Sequence, residues 1–276
     1  MKVLITLFLL SLSSNVFGQE RIVSIGGSLT EVIYLLNKQH ELVGTDTTSN
    51  YPLAAQKTKK VGYARALSAE GILSLNPSVV FLTDEAGPPV VLKQLQEAGV
   101  NIVKVQNDYS VEGALSKVTQ ISKYLGAGYN GNQIKNKIKR DIDYAQTVIK
   151  NQNSEPKILF ILGQRSGNLL VSGRDTQADS MIKLVGGINP MQNFTSYKPL
   201  TPEQIAEVMP DVILLMNRHG NDANKDTINA LKTHPILKLT PAVKHNNIIA
   251  MEGSYLLGFG PRIGIAAKEL AEQIYD

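Results

Sequence analysis

The sequence predicts an α/β protein of two lobes with mainly parallel sheets, joined by one long helix and leaving a ligand cleft between them. Three observations lead there. Short β-branched runs alternate with stretches of helix-spaced apolar residues, the pattern of parallel strands covered by helices. An amphipathic stretch near residues 130–151 interrupts this alternation, which then restarts. A segment also recurs: residues 67–82, LSAEGILSLNPSVVFL, align with 200–215, LTPEQIAEVMPDVILL, at a constant offset of 133. In both copies a Ser or Thr caps a short helix, a Glu sits in its first turn, and a Pro precedes an apolar strand. Two similar lobes leave a groove between them, and ligand sites favour such interfaces.

Composition agrees with a folded chain: 276 residues, 43% hydrophobic and 19% charged, with a formal charge of +4. No long basic run is present, so nucleic acid is not an expected partner. Cysteine is absent. That excludes disulfides, Cys nucleophiles, Cys-ligated zinc, iron–sulfur clusters and a lipid-anchored cysteine. Residues 1–18 read as a signal peptide, with Lys2 at its start, an apolar run over 3–12 and a cut after Gly18. The run is shorter than the ~20 residues that span a bilayer. The expectation is therefore an exported, soluble, periplasmic protein.

Along the chain, 21–25 is a strand ending at Gly26-Gly27. A helix follows, capped by Ser28 or Thr30, with Val32, Ile33, Leu35 and Leu36 on its apolar face. Strands are expected at 41–44, 79–82 and 101–105, and helices at 90–98 and 110–125. Ile134, Ile138, Ile142, Ala145 and Ile149 give the long helix one apolar face, opposite a charged, solvated one. Strands at 157–162, 212–216 and 248–250 and helices at 176–185 and 264–275 complete the second half. The organisation is a leader over 1–18, an N-terminal lobe over 19–128, a linking helix over 129–152 and a C-terminal lobe over 153–276.

Most enzyme signatures are missing. Gly26-Gly27-Ser28 lacks GxGxxG or GK[ST] spacing, so it reads as a strand-to-helix turn rather than a phosphate cradle. No GxSxG elbow surrounds Ser28, and His40, His219, His234 and His245 form no HExxH pattern. The loop 61–67, VGYARAL, precedes the first repeat helix. From the residues alone Tyr63 is either a rim aromatic or a hard oxygen ligand, since a phenolate binds ferric iron and Tyr is an axial haem ligand. A free phenol ionises near ~10, so a neighbouring cation such as Arg65 would favour the anion.

These segments carry a resemblance. Residues 21–31 (RIVSIGGSLTE), 44–49 (GTDTTS), 61–71 (VGYARALSAEG), 192–200 (QNFTSYKPL) and the second repeat helix are similar to the periplasmic haem-binding proteins of bacterial haem ABC importers. These belong to the wider group of substrate-binding proteins for haem, cobalamin and ferric siderophores. The resemblance implies two Rossmann-like lobes, haem as a transported ligand, no enzymatic activity, a monomer, and delivery to an inner-membrane ABC permease dimer. It also implies an outer-membrane haem receptor system upstream.

By the same resemblance Tyr63 is the axial iron ligand, Arg65 helps hold the site, and Tyr197 is a haem-contacting candidate. Glu70 and Glu203 are the acidic knobs, one per lobe, offered to permease arginines. Some relatives place a histidine after the strand equivalent to 157–162, where this chain reads Gly163-Gln164-Arg165-Ser166-Gly167. Arg165 or Arg218 would support the second haem face instead, with His219 a replacement ligand. A ferric-siderophore or cobalamin binder would share everything except the role of Tyr63. Lobes joined by a long helix are expected to close only modestly on their ligand.

Overall fold

The computed structural model describes residues 20–152, 154–165, 168–217 and 220–275. The leader expected at 1–18 and the candidates Arg218 and His219 lie outside the described residues. The first half runs β1 (Ile22–Ile25), α1 (Gly27–Leu35), β2 (Leu42–Thr45), β3 (Gly62–Tyr63), β4 (Ala66–Leu67), α2 (Ala69–Leu73), β5 (Val79–Thr83), α3 (Pro89–Glu97), β6 (Asn101–Val105) and α4 (Val111–Tyr124). The long helix is α5 (Gly128–Lys150). At about 1.5 Å per residue its 23 residues span roughly 35 Å. The second half runs β7 (Ile158–Arg165), β8 (Asn168–Ser172), α6 (Gln177–Leu184), β9 (Tyr197–Pro199), α7 (Pro202–Val208), β10 (Val212–Asn217), α8 (Gly220–Thr233), α9 (Pro241–Lys244), β11 (Ile248–Glu252), α10 (Gly253–Leu257) and α11 (Ile263–Tyr275).

The first sheet has the order β2-β1-β5-β6 and is parallel throughout. The second has the order β11-β10-β7-β8-β9, parallel from β11 to β7 and antiparallel from β7 to β9. The repeat is thus a repeat of topology. Ile22 pairs with Val79 in one sheet and Ile158 with Val212 in the other, and Val79 and Val212 are the same position of the repeat. The β8–β9 edge went unanticipated, because its short segments lie far apart and carry no clean alternation.

The pleat explains the continuous apolar runs. Val79 and Phe81 face one core, while Val80 and Leu82 face another on the opposite side of the sheet. Ile158 and Phe160 point into the first core, Leu159 and Ile161 into a third. The first core is shared by both sheets: α1, α4, α5, α6 and α11 all contribute to it, and α11 packs along α5 and reaches α4.

The first turn differs from expectation. Neither Ser28 nor Thr30 caps α1; Gly26 is the N-cap, at φ 124° and ψ 124°, where a side chain would be strained. The Thr30 hydroxyl is buried between Ser24 Oγ at 2.9 Å and Ser49 Oγ at 2.8 Å. Gly26 N–H donates to Asp46 Oδ1 at 3.0 Å and Gly27 N–H to Thr48 Oγ1 at 3.1 Å. The turn's donors are therefore already taken by the protein, as a plain strand-to-helix connection requires.

Candidate functional site

The carboxyl ends of parallel strands and the loops that follow them are where α/β sheets present ligand sites. Here those edges of the two sheets face each other. Ser28, just past β1, packs so close to Gly260 that a Cβ there would lie 2.8 Å from Ser28 Cβ. Tyr109, past β6, sets its ring 5.9 Å from that of Phe259. Lys117 of α4, fully buried, donates from Nζ to the Phe259 carbonyl at 2.9 Å. Burial lowers the Lys117 amine to about 8, against the opposing pull of Asp108, Glu85 and Asp84.

A second contact crosses the same gap. The Arg262 guanidinium makes two 2.7 Å hydrogen bonds to the Glu31 carboxylate. It lies 3.8 Å from the centre of the Tyr51 ring, 4.9 Å from that of Tyr255, and 3.8 Å from a Glu252 oxygen. Burial pushes the Glu31 carboxyl up despite Arg262. For Arg262, burial acts downward but the bonds it donates to Glu31 outweigh it and leave the guanidinium more firmly protonated.

Tyr63 lies on this edge. Its strand pairs Gly62 with Leu67 and Tyr63 with Ala66, so Ala64 and Arg65 make a two-residue turn. Two bonds tie this hairpin to neighbouring edge loops: Thr47 N–H to the Gly62 carbonyl and Gly87 N–H to the Ala64 carbonyl, both 2.9 Å. The Tyr63 side chain is 46% exposed. Arg65, within electrostatic reach of Tyr63, forms an ion pair with Glu85. Tyr109 donates its hydroxyl to the same carboxylate, and Asn107 Nδ2 donates to Glu85 Oε1 at 2.9 Å. Burial alone would raise the Glu85 carboxyl; the bonds from Tyr109, Arg65 and Asn107 outweigh it and hold the group below its ordinary range. The bond to Glu85 raises Arg65 further. An exposed phenol thus stands beside a cation that is held in place.

A cavity of about 470 Å3 lies in the second lobe. Leu162, Gly163 and Gln164 of β7, Met216 and Asn217 of β10, and Leu231 of α8 are among its walls, so it reaches the carboxyl edge of that sheet. Asn217 is paired with Glu252, which places this rim next to Arg262. Among the described residues Tyr63 and Arg65 are not part of its lining.

The remaining candidates are dispersed. Arg165 ends β7, at the same rim. Tyr197 packs its ring 6.3 Å from Phe160 and gives its hydroxyl to Gln177 Oε1 at 3.3 Å, so it is a half-buried residue packed on the first core and not part of the cavity lining. Glu70 and Glu203 are exposed in the first turns of α2 and α7, behind Ser68 and Thr201 caps, and Thr201 completes a capping box with Gln204. Glu85, Tyr109, Asn107, Glu31 and Arg262 escaped the sequence reading. One signal was present: Asp84-Glu85 directly follows β5, apolar over 79–82, at the end where ligand sites form.

The profile of the periplasmic binding protein family matches residues 22–255. The chain belongs to the periplasmic binding protein family. This is a substrate-binding rather than a catalytic family, with an exported or periplasmic location, and its ABC-transporter members work with an inner-membrane permease. Among solved structures the chain is similar to the periplasmic heme-binding protein BhuT in complex with two hemes. It is 36% identical, with a TM-score of 0.86, covering 94% of this chain and 99% of that one. Among curated proteins it is 26% identical over 264 residues to the ABC transporter substrate-binding lipoprotein YvrC of Bacillus subtilis (strain 168), covering 93% of this chain and 80% of the relative. It is 23% identical over 256 residues to the vitamin B12-binding protein of Yersinia pestis (strain Pestoides F), covering 92% and 86% respectively. Among the described residues no helix is long and apolar enough to cross a membrane.

Proposed function

We propose that this protein binds haem between lobes 19–128 and 153–276, joined through 129–152, and delivers it to an inner-membrane ABC permease. The observation that carries the reading is the exposed Tyr63 phenol beside the anchored Arg65 cation, on the edge facing the second lobe. A haem supplies a ferric centre for which a phenolate oxygen is a suitable axial ligand. Arg65, within electrostatic reach of Tyr63, places a positive charge beside that residue. The alkyl walls around Leu162, Leu170 and Leu231 suit an apolar macrocycle, whose removal from water drives binding. Arg165 and Arg218 support the second haem face or the propionates, with His219 the alternative ligand, and Tyr197 is a further haem-contacting candidate. Glu70 and Glu203 dock the loaded protein on its permease, and a leader over 1–18 directs export.

Haem is preferred over cobalamin because the haem-binding BhuT is 36% identical across nearly the whole chain, against 23% for the vitamin B12-binding relative. Titration of the purified protein with hemin, cobalamin and a ferric siderophore tests the reading. Hemin is expected to bind most tightly, with a shifted Soret band and a high-spin charge-transfer band. Tighter binding of cobalamin would overturn it. Y63A is expected to abolish the phenolate band and weaken hemin binding at least about tenfold; an unchanged spectrum and affinity would remove Tyr63 from the site.

A further inference from the structure

We propose that Glu85 is the positioning residue of the Tyr63 arm, acting through Arg65; the inference rests on Tyr63 as the iron ligand. Arg65 sits in a two-residue turn with its side chain 58% exposed. An arginine so exposed has wide rotamer freedom, and a cation spread over many rotamers gives a neighbouring phenolate little. Glu85 removes that freedom. Its carboxylate faces Arg65 on one side and is itself held on the other by the Tyr109 hydroxyl and the Asn107 amide. Asn107 is fixed in turn, its backbone N–H donating to Asp84 Oδ1 at 3.0 Å.

The place of the cation is therefore set from the loops after β5 and β6, not by the short hairpin that carries it. The loop after β6 also meets the second lobe, through the Tyr109 ring against Phe259. Glu85 thereby links the geometry beside Tyr63 to the contact between lobes. A carboxylate serving only to stabilise the loop would have no effect on an iron–phenolate bond.

The test is a hemin titration of the full chain as wild type, E85Q, E85D, R65A and R65A/E85Q, reading the phenolate-to-iron charge-transfer band and the Kd. E85Q keeps the shape and loses the charge that holds Arg65. Its band is expected to move to longer wavelength, because the phenolate electrons lose a fixed positive neighbour, and hemin binding to weaken about five- to tenfold. R65A should give the same displacement and R65A/E85Q no more, since residues acting through one contact are not additive. E85D should fall between wild type and R65A, and it carries the test should E85Q not fold. A band and Kd unchanged in E85Q or E85D, or additive effects in the double variant, would overturn the proposal. A wild-type complex with no phenolate band would instead overturn the Tyr63 reading, and this inference with it.

Discussion

Glu31 and Arg262, 231 positions apart in the chain, form a two-bond ion pair across the gap between the lobes, with both bonds 2.7 Å. The Glu31 side chain is 6% exposed and that of Arg262 19%. Breaking such a pair from one side leaves a buried charge unmatched, at a cost of about 3–5 kcal/mol. E31A is therefore expected to lower the urea midpoint sharply. E31A/R262A should cost less than the sum of the single variants by about 1–3 kcal/mol. Additive losses would show that the two residues are not coupled.

The close approach of Gly260 to Ser28 is a steric counterpart to that pair. A Cβ at Gly260 would meet Ser28 Cβ at 2.8 Å and Ser28 Cα at 3.2 Å. G260A is expected to destabilise by about 1–3 kcal/mol through overpacking. Adding S28G should recover part of the loss, because it removes the nearer of the two atoms. Equal denaturation curves for wild type and G260A would show that the lobes separate there without cost.

Lys117 makes a prediction about pH. Its amine, lowered by burial to about 8, has an ordinary value of 10.5 in the unfolded chain. Between these two values the unfolded chain binds more protons than the folded one, so this lysine makes stability rise with pH across that window. Below about 8 both states are protonated and its penalty is constant. Thermal melting of wild type and K117M at pH 7.5 and 9.5 checks the sign. The difference between the two proteins should shrink or turn in favour of wild type at the higher pH, and a difference independent of pH would refute the lysine's burial.

The proposed docking role of Glu70 and Glu203 can be tested apart from haem binding. Glu70 and Glu203 lie on helices that are not part of the Tyr63 network. Reversing both, as E70K/E203K, should leave the hemin Kd within about twofold and abolish stimulation of the permease ATPase in proteoliposomes, since like charges facing each other oppose association. Full stimulation by the double variant would assign docking to another surface.

Much of the fold was legible because the relevant forces are local. The strand 79–82 is apolar at every position, which a strand buried on both faces requires, and the structure buries Val79, Val80, Phe81 and Leu82 completely. Ser68 caps α2 and Thr201 caps α7, as the repeat indicated. Gly26 was misread because an N-cap glycine competes with nearby Ser and Thr, and here their hydroxyls serve a buried network instead. Tyr63 and Arg65 stood out through the resemblance carried by 61–71; from the residues alone Tyr63 was either a rim aromatic or a ligand. Glu85 did not stand out, because a carboxylate after a strand is common and its importance comes from Asn107 and Tyr109, 22 and 24 positions further along the chain.

Periodicity, caps and an offset of 133 pick out most of the strands and helices, though not β8 and β9, and show that the molecule is built twice over. They report which face of an element leaves water, not what that face meets. Whether Arg262 finds Glu31, whether Phe259 receives Lys117, and which acid steadies Arg65 depend on how two sheet edges are brought together through packing on α5 and α11. Such contacts are spread over as many as 231 positions of chain and leave no local pattern, so only the assembled protein reveals them.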